Sequence, residues 1–136
     1  MANNKHILFV FGPAESGRSK YIEKHYGTYI KVDLALFQTE EGANEDSFNR
    51  CLEAFKEAIN NHDRVVLEHT LPKIKHRVPY IAAAEAIGCM PEAVVMLPRE
   101  RHWDNYATVK RLENYYGIFE SPCIKDGFSN VTTICD

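Results

Sequence analysis

His6-Ile7-Leu8-Phe9-Val10-Phe11-Gly12-Pro13-Ala14-Glu15-Ser16-Gly17-Arg18-Ser19-Lys20 is the stretch from which the rest of the chain can be placed. Ile7 to Phe11 are apolar without alternation, as expected of a parallel strand covered on both faces. The run Lys20-Tyr21-Ile22-Glu23-Lys24-His25-Tyr26 suits a helix. Between them lies a glycine-hinged bend. Gly12 and Gly17 let the backbone turn sharply and approach another group closely. The intervening amides point inward as a nest for an anion. The helix that begins near Gly17 aims its free N–H groups and its positive dipole end at the same place.

The spacing G-x-x-x-x-G-[basic]-S is that of a Walker A phosphate loop, with Arg18 where the usual pattern has Lys. It makes Gly12, Pro13, Ala14, Glu15, Ser16, Gly17, Arg18, Ser19 and Lys20 the candidate ATP-phosphate-binding residues. Ser19 would offer a hydroxyl to Mg2+, and Arg18 would reach toward the terminal phosphates. A guanidinium grips phosphate as a fork, where lysine offers a compact charge.

A length of 136 residues suits one domain spanning 1–136. Hydrophobic residues make up 45% and charged residues 26%, a globular rather than a disordered or fibrous composition. The formal net charge of -3 argues against a general nucleic-acid coat, while a local basic patch stays open. The apolar run Ile7–Phe11 is too short for a signal peptide, and no stretch is long enough to span a membrane. Cys51, Cys89, Cys123 and Cys135 lack CxxC spacing. A cytoplasmic protein with reduced thiols and no membrane partner is expected.

Further along, Gly27 is a plausible helix C-cap, and Thr28–Val32 reads as a second strand ending at Asp33. Gln38 to Glu45 reads as a loop. A helix capped by Asp46 or Ser47 runs to about Asn61, with Phe48, Leu52, Phe55 and Ile59 on one face. Arg64–Leu67 is a third strand leading to Glu68-His69-Thr70. Pro72 and Pro79 bracket a loop or first helical turn, and the helix that follows stops at Gly88. Ala93–Leu97 is a fourth strand. Arg99 to about Tyr115 is one long helical stretch or two shorter ones, ended by Gly117, and Asn130–Ile134 is a last strand. Strands alternating with helices imply an α/β three-layer sandwich around a central parallel sheet, of the P-loop NTPase type. The glycine loop, Asp33 and Glu68-His69-Thr70 all fall at carboxyl ends of strands, where such sheets bind ligands.

These residues resemble the small P-loop kinases of the AAA-domain, zeta-toxin and polynucleotide 5′-hydroxyl kinase kind, over nearly the whole chain. The loop Gly12–Ser19 matches. So does Asp33 after the second strand, where the family carries an Asp that accepts the acceptor's proton. Val65 to Pro72 looks like the family's strand ending in Asp-x-Thr-Asn, and Arg77 and Tyr80 match a following Arg-x-x-Tyr. Arg99 to Arg111 is similar to a basic lid helix. Phe119-Glu120-Ser121-Pro122 with Asp126-Gly127-Phe128 looks like the family's ending and suggests a complete domain. The sequence departs from the pattern at Arg18, at Glu68 in place of Asp, and at Leu71 in place of Asn. Leu34-Ala35-Leu36-Phe37 stands where the family often has an arginine for substrate phosphate.

The resemblance implies an ATP-dependent phosphotransferase acting on a hydroxyl of a nucleoside, nucleotide, nucleic-acid 5′ end or small molecule. In that reading Asp33 is the general base, against the alternative of a strand-end Asp that caps a turn. Asp33, Thr70 and Arg77 bind substrate. Ser19 and Glu68 hold Mg2+, against the alternative that Glu68 is a solvated strand-end charge. Arg18, Lys110 and Arg111 gather positive charge around the transferring phosphoryl group. His69 is expected to be structural or to touch substrate. Trp103, Tyr106, Tyr115 and Tyr116 are more readily core residues than base-stacking ones. Arg18 and the missing substrate arginine motivate an alternative: a catalytically weakened nucleotide-binding module acting as a sensor or partner protein.

Overall fold

A computed structural model of the chain describes residues 5–13, 16–37, 45–69, 71–97 and 106–135, with side chains at all of these but 106–108, 111 and 135. Strands β1 (His6–Phe11), β2 (Ile30–Asp33), β3 (Arg64–His69), β4 (Glu92–Leu97) and β5 (Asn130–Cys135) alternate with helices. The helices are α1 (Arg18–Tyr26), α2 (Glu45–Asn61), α3 (Ile74–Ala86) and α4 (Tyr106–Ile118). The strands form one five-stranded sheet in the order β2-β3-β1-β4-β5. Every pairing is parallel.

The α/β expectation therefore holds, and the pleat explains how the two faces are built. Ile7, Phe9, Phe11, Val32, Val65, Leu67 and Val95 turn to one face, where Cys51, Phe55 and Ile59 of α2 and Tyr80, Ile81 and Ala84 of α3 cover them. Leu8, Val10, Val66, Val94 and Met96 turn to the other face and meet Ile22 of α1. Phe9 is the hub of the first face. Its ring lies edge-on to Phe55 at 5.7 Å, Tyr80 at 6.3 Å and Phe128 at 5.5 Å. Truncating a side chain so enclosed costs roughly 3–5 kcal/mol.

Several boundaries differ from expectation. Strand β3 continues through Glu68 and His69 because both pair with β1, opposite Val10 and Phe11. Pro79 lies inside α3 rather than at its edge. The hydrogen bond it removes would have gone to the carbonyl of Lys75, an exposed residue whose carbonyl water can satisfy. Helix α4 passes through Gly117 to Ile118. Gly27 does cap α1, with right-handed φ of -62°. Among the described residues no helix is long and apolar enough to cross a membrane. Cys51, Cys89 and Cys123 are free thiols.

Candidate active site

The bend after β1 needs its glycines for different reasons. Gly12 has φ +153°, and a Cβ there would lie 2.5 Å from the Met96 carbonyl oxygen of β4. Gly17 has φ +80° and, among the described residues, nothing within 4 Å of where a Cβ would sit, so its left-handed conformation is what demands glycine. Gly17 is also the N-cap of α1, with no side chain capping it, so the first amides of α1 have no side-chain acceptor from their own cap.

Two side chains of the bend bond to its own carbonyls. Ser16, fully buried, donates from Oγ to Pro13 O at 2.6 Å. Arg18 donates from Nη1 to Gly12 O at 2.7 Å, and its Nε lies 3.7 Å from Glu68 Oε2. Arg18 thus lies folded back across the loop rather than extended past it. A planar fork can serve a carbonyl and a carboxylate together, which holds it there. Lys20 is exposed on the first turn of α1. Ala14 and Glu15 lie outside the described residues.

The two acidic strand tips are neighbours, since Asp33 of β2 pairs in register with Glu68 of β3. Glu68 follows Val66 onto the α1 face and is only 4% exposed. A carboxylate so buried requires partners. Ser19 Oγ donates to its Oε1 and Oε2 at 3.0 and 2.9 Å. Lys31 Nζ donates to Oε1 at 3.3 Å and lies 3.7 Å from Asp33 Oδ2. Asp33 Oδ1 accepts from the Ala35 amide at 2.9 Å and so begins the 3-10 turn Leu34–Phe37. Asp33 therefore does cap a turn, and it also stands at the rim of the cluster. Sequence reasoning missed Lys31, although the two-residue strand period puts it on the same face as Asp33.

Ser19 and Glu68 offer a hydroxyl and a carboxylate within hydrogen-bond reach of each other, hard oxygen donors of the kind Mg2+ takes. Among the described residues no group of three His, Cys, Asp or Glu is poised for a metal. Two protein oxygens leave the remaining positions to water and phosphate, which is the usual arrangement for Mg2+. The donor set fits.

The next residues turn the other way. His69 leaves Glu68 for the opposite face, where it stacks on Phe48 at 5.6 Å and meets Tyr80 edge-on. Its Nδ1 accepts from the Leu71 amide at 3.1 Å. Among the described residues its Nε2 has no partner. Burial, then the charges of Arg18 and His76, push its pKa down to about 3, so it is neutral. Leu71 has φ +38°, left-handed, where Asn would sit with less strain.

The resemblance assigns Arg77 to substrate; its side chain is fully buried. Its Nε donates to Leu71 O at 3.0 Å, and its Nη2 donates to the carbonyls of Pro72 and Glu120. The guanidinium also lies over the rings of Phe11 and Phe119. Arg77 thus pins the segment after β3 to the Phe119-Glu120 turn. Lys110 is exposed and makes no ion pair with the cluster among the described residues. Thr70, Arg99, Arg101, Trp103 and the side chains of Tyr106 and Arg111 lie outside the described residues. Tyr115 stacks on Phe119 at 5.5 Å.

The parallel sheet with helices on both faces defines a three-layer α/β domain. Solved structures share this fold. Over 99% of this chain and 84% of its own, a gluconokinase from Sinorhizobium meliloti 1021 aligns at 16% identity and TM-score 0.56. A sugar kinase from Janibacter sp. HTCC2649 aligns over 97% of this chain and 84% of its own, at 9% identity and TM-score 0.59. A putative kinase from Chloroflexus aurantiacus J-10-fl aligns over 99% and 87%, at 8% identity and TM-score 0.66. No protein-family model and no curated protein matches the sequence. At these identities the likeness is one of fold.

Proposed function

We propose that this protein is an ATP-dependent phosphotransferase that moves the γ-phosphoryl group to a hydroxyl of a small molecule, nucleoside, nucleotide or nucleic-acid 5′ end. The observation that carries the reading is the Ser19–Glu68 pair, at 2.9 and 3.0 Å, set beside a glycine-hinged loop with Asp33 one strand away. That the structural neighbours are titled gluconokinase and sugar kinase supports a hydroxyl acceptor.

In this reading the loop amides and the start of α1 bind the phosphates, and Ser19 and Glu68 hold Mg2+. The metal, when bound, neutralises the oxygens that gather charge in the transition state. Asp33 accepts the acceptor's proton at Oδ2, the oxygen turned from Ala35. Arg18 leaves Gly12 O for the terminal phosphate. Phosphoryl transfer asks mainly for such positioning and charge.

The test is an acceptor screen with γ-labelled ATP over sugars, nucleosides and 5′-hydroxyl oligonucleotides. The expected result is label on one acceptor class, lost at least a hundredfold in Asp33→Asn, which keeps nucleotide binding. Nucleotide binding with no transfer to any acceptor, unchanged by Arg18→Lys, would overturn the reading.

A further inference from the structure

Among the described residues Glu68 has three partners, and they differ in how firmly they are held. Ser19 belongs to the first turn of α1. Arg18 is tied at its other end to Gly12 O, and its side chain is 14% exposed. The Lys31 side chain is 37% exposed, and its ammonium reaches two carboxylates, 3.3 Å to Glu68 Oε1 and 3.7 Å to Asp33 Oδ2. A cavity of about 260 Å³ lies alongside, lined by Ser19, Glu23, Tyr26, Tyr29 and Lys31. The Lys31 side chain therefore has open space beside it.

A divalent cation held by Ser19 and Glu68 would share the carboxylate whose Oε1 Lys31 now binds. One carboxylate does not serve an ammonium and a divalent ion together without strong repulsion between them. We propose that Lys31 competes with Mg2+ for Glu68, and that metal binding displaces its ammonium toward Asp33. The lysine thereby sets how much Mg2+ the site requires, and it keeps the Glu68 carboxylate compensated when no metal is bound. It acts as a positioning residue, through Glu68 and Asp33. The identity of the metal rests on the phosphotransferase reading; the competition rests on the geometry alone.

The test compares the full-length chain with Lys31→Met and Lys31→Arg, using Mn2+ as a stand-in for Mg2+. Free Mn2+ is followed by electron paramagnetic resonance without nucleotide. A second arm follows thermal stabilisation by MgCl2 at fixed ATP. Lys31→Met is expected to lower the half-saturating metal concentration about tenfold, a common size for coupling between two ligands. Lys31→Arg, which keeps the cation, is expected to stay near wild type. Adding Glu68→Gln to Lys31→Met should abolish the gain. An unchanged or raised half-saturation in Lys31→Met overturns the proposal, and so does a gain that survives Glu68→Gln. Failure of ATP to stabilise any variant would count against the phosphotransferase reading while the Mn2+ arm still decides the competition.

Discussion

Arg18 donates to the carbonyl of Gly12 at 2.7 Å, so the cation of the glycine loop is bonded to the residue that opens the loop. On the proposed reading, a phosphate bound in the bend draws that guanidinium away from Gly12 O and from Glu68. A hydrogen bond from a charged donor contributes about 1.5–3 kcal/mol, and about 1.4 kcal/mol is a tenfold change in affinity. Arg18→Lys, with a compact ammonium in place of the fork, is expected to tighten Mg-ATP binding about tenfold by isothermal titration calorimetry. An unchanged or weaker affinity would mean that the folded-back fork is no obstacle.

The two loop glycines should respond differently to alanine. At Gly12 both φ and the Met96 carbonyl oppose a Cβ, and the combined cost is about 2–4 kcal/mol. At Gly17 there is room, so only the left-handed backbone resists, at about 1–2 kcal/mol. Urea unfolding of Gly12→Ala and Gly17→Ala reads both. Equal losses would contradict the close approach of β4 to Gly12.

Arg77 should be a stability residue. Arg77→Met leaves the carbonyls of Leu71 and Glu120 without the guanidinium donor, each worth roughly 1–3 kcal/mol when buried, while Pro72 O keeps the Glu120 amide. A loss of about 3–5 kcal/mol in urea unfolding is expected, with nucleotide affinity unchanged in the protein that remains folded. A small loss accompanied by a raised acceptor KM would return Arg77 to the substrate.

His69 makes stability depend on pH in a definite direction. Its folded pKa of about 3 lies below the ordinary 6.5 because burial opposes the charged ring. The unfolded chain therefore binds the proton first. The contribution is fully present above pH 6.5 and is lost as pH falls toward 3. His76 is shifted in the same direction, chiefly by burial. Between pH 7.5 and 4.5, His69→Gln should lose about 2–3 kcal/mol less than wild type in urea unfolding. Parallel pH profiles for the two proteins would show that His69 is not buried neutral.

The β-strands and the glycine loop were legible because their signals are local. An unbroken apolar run such as Ile7–Phe11 has one stable environment, a strand covered on both faces, and Gly12 and Gly17 sit at the spacing a phosphate bend needs. That Ser19, Asp33 and Glu68 each close or follow a recognisable element was legible too, and the structure makes them neighbours. Glu68-His69-Thr70 was misleading as a unit. One extra pleat sends His69 to the α2 and α3 face while Glu68 stays with α1.

Chain order alone, then, dictates an alternating α/β chain with a glycine-hinged bend after its first strand, because backbone sterics and apolar periodicity act over a few residues. Which charges meet does not follow from it. Lys31 reaches Glu68 across 37 residues, and Arg77 reaches Glu120 across 43. Those partnerships depend on strand order and on which side of the sheet each pleat faces, and both are settled only when the whole sheet packs.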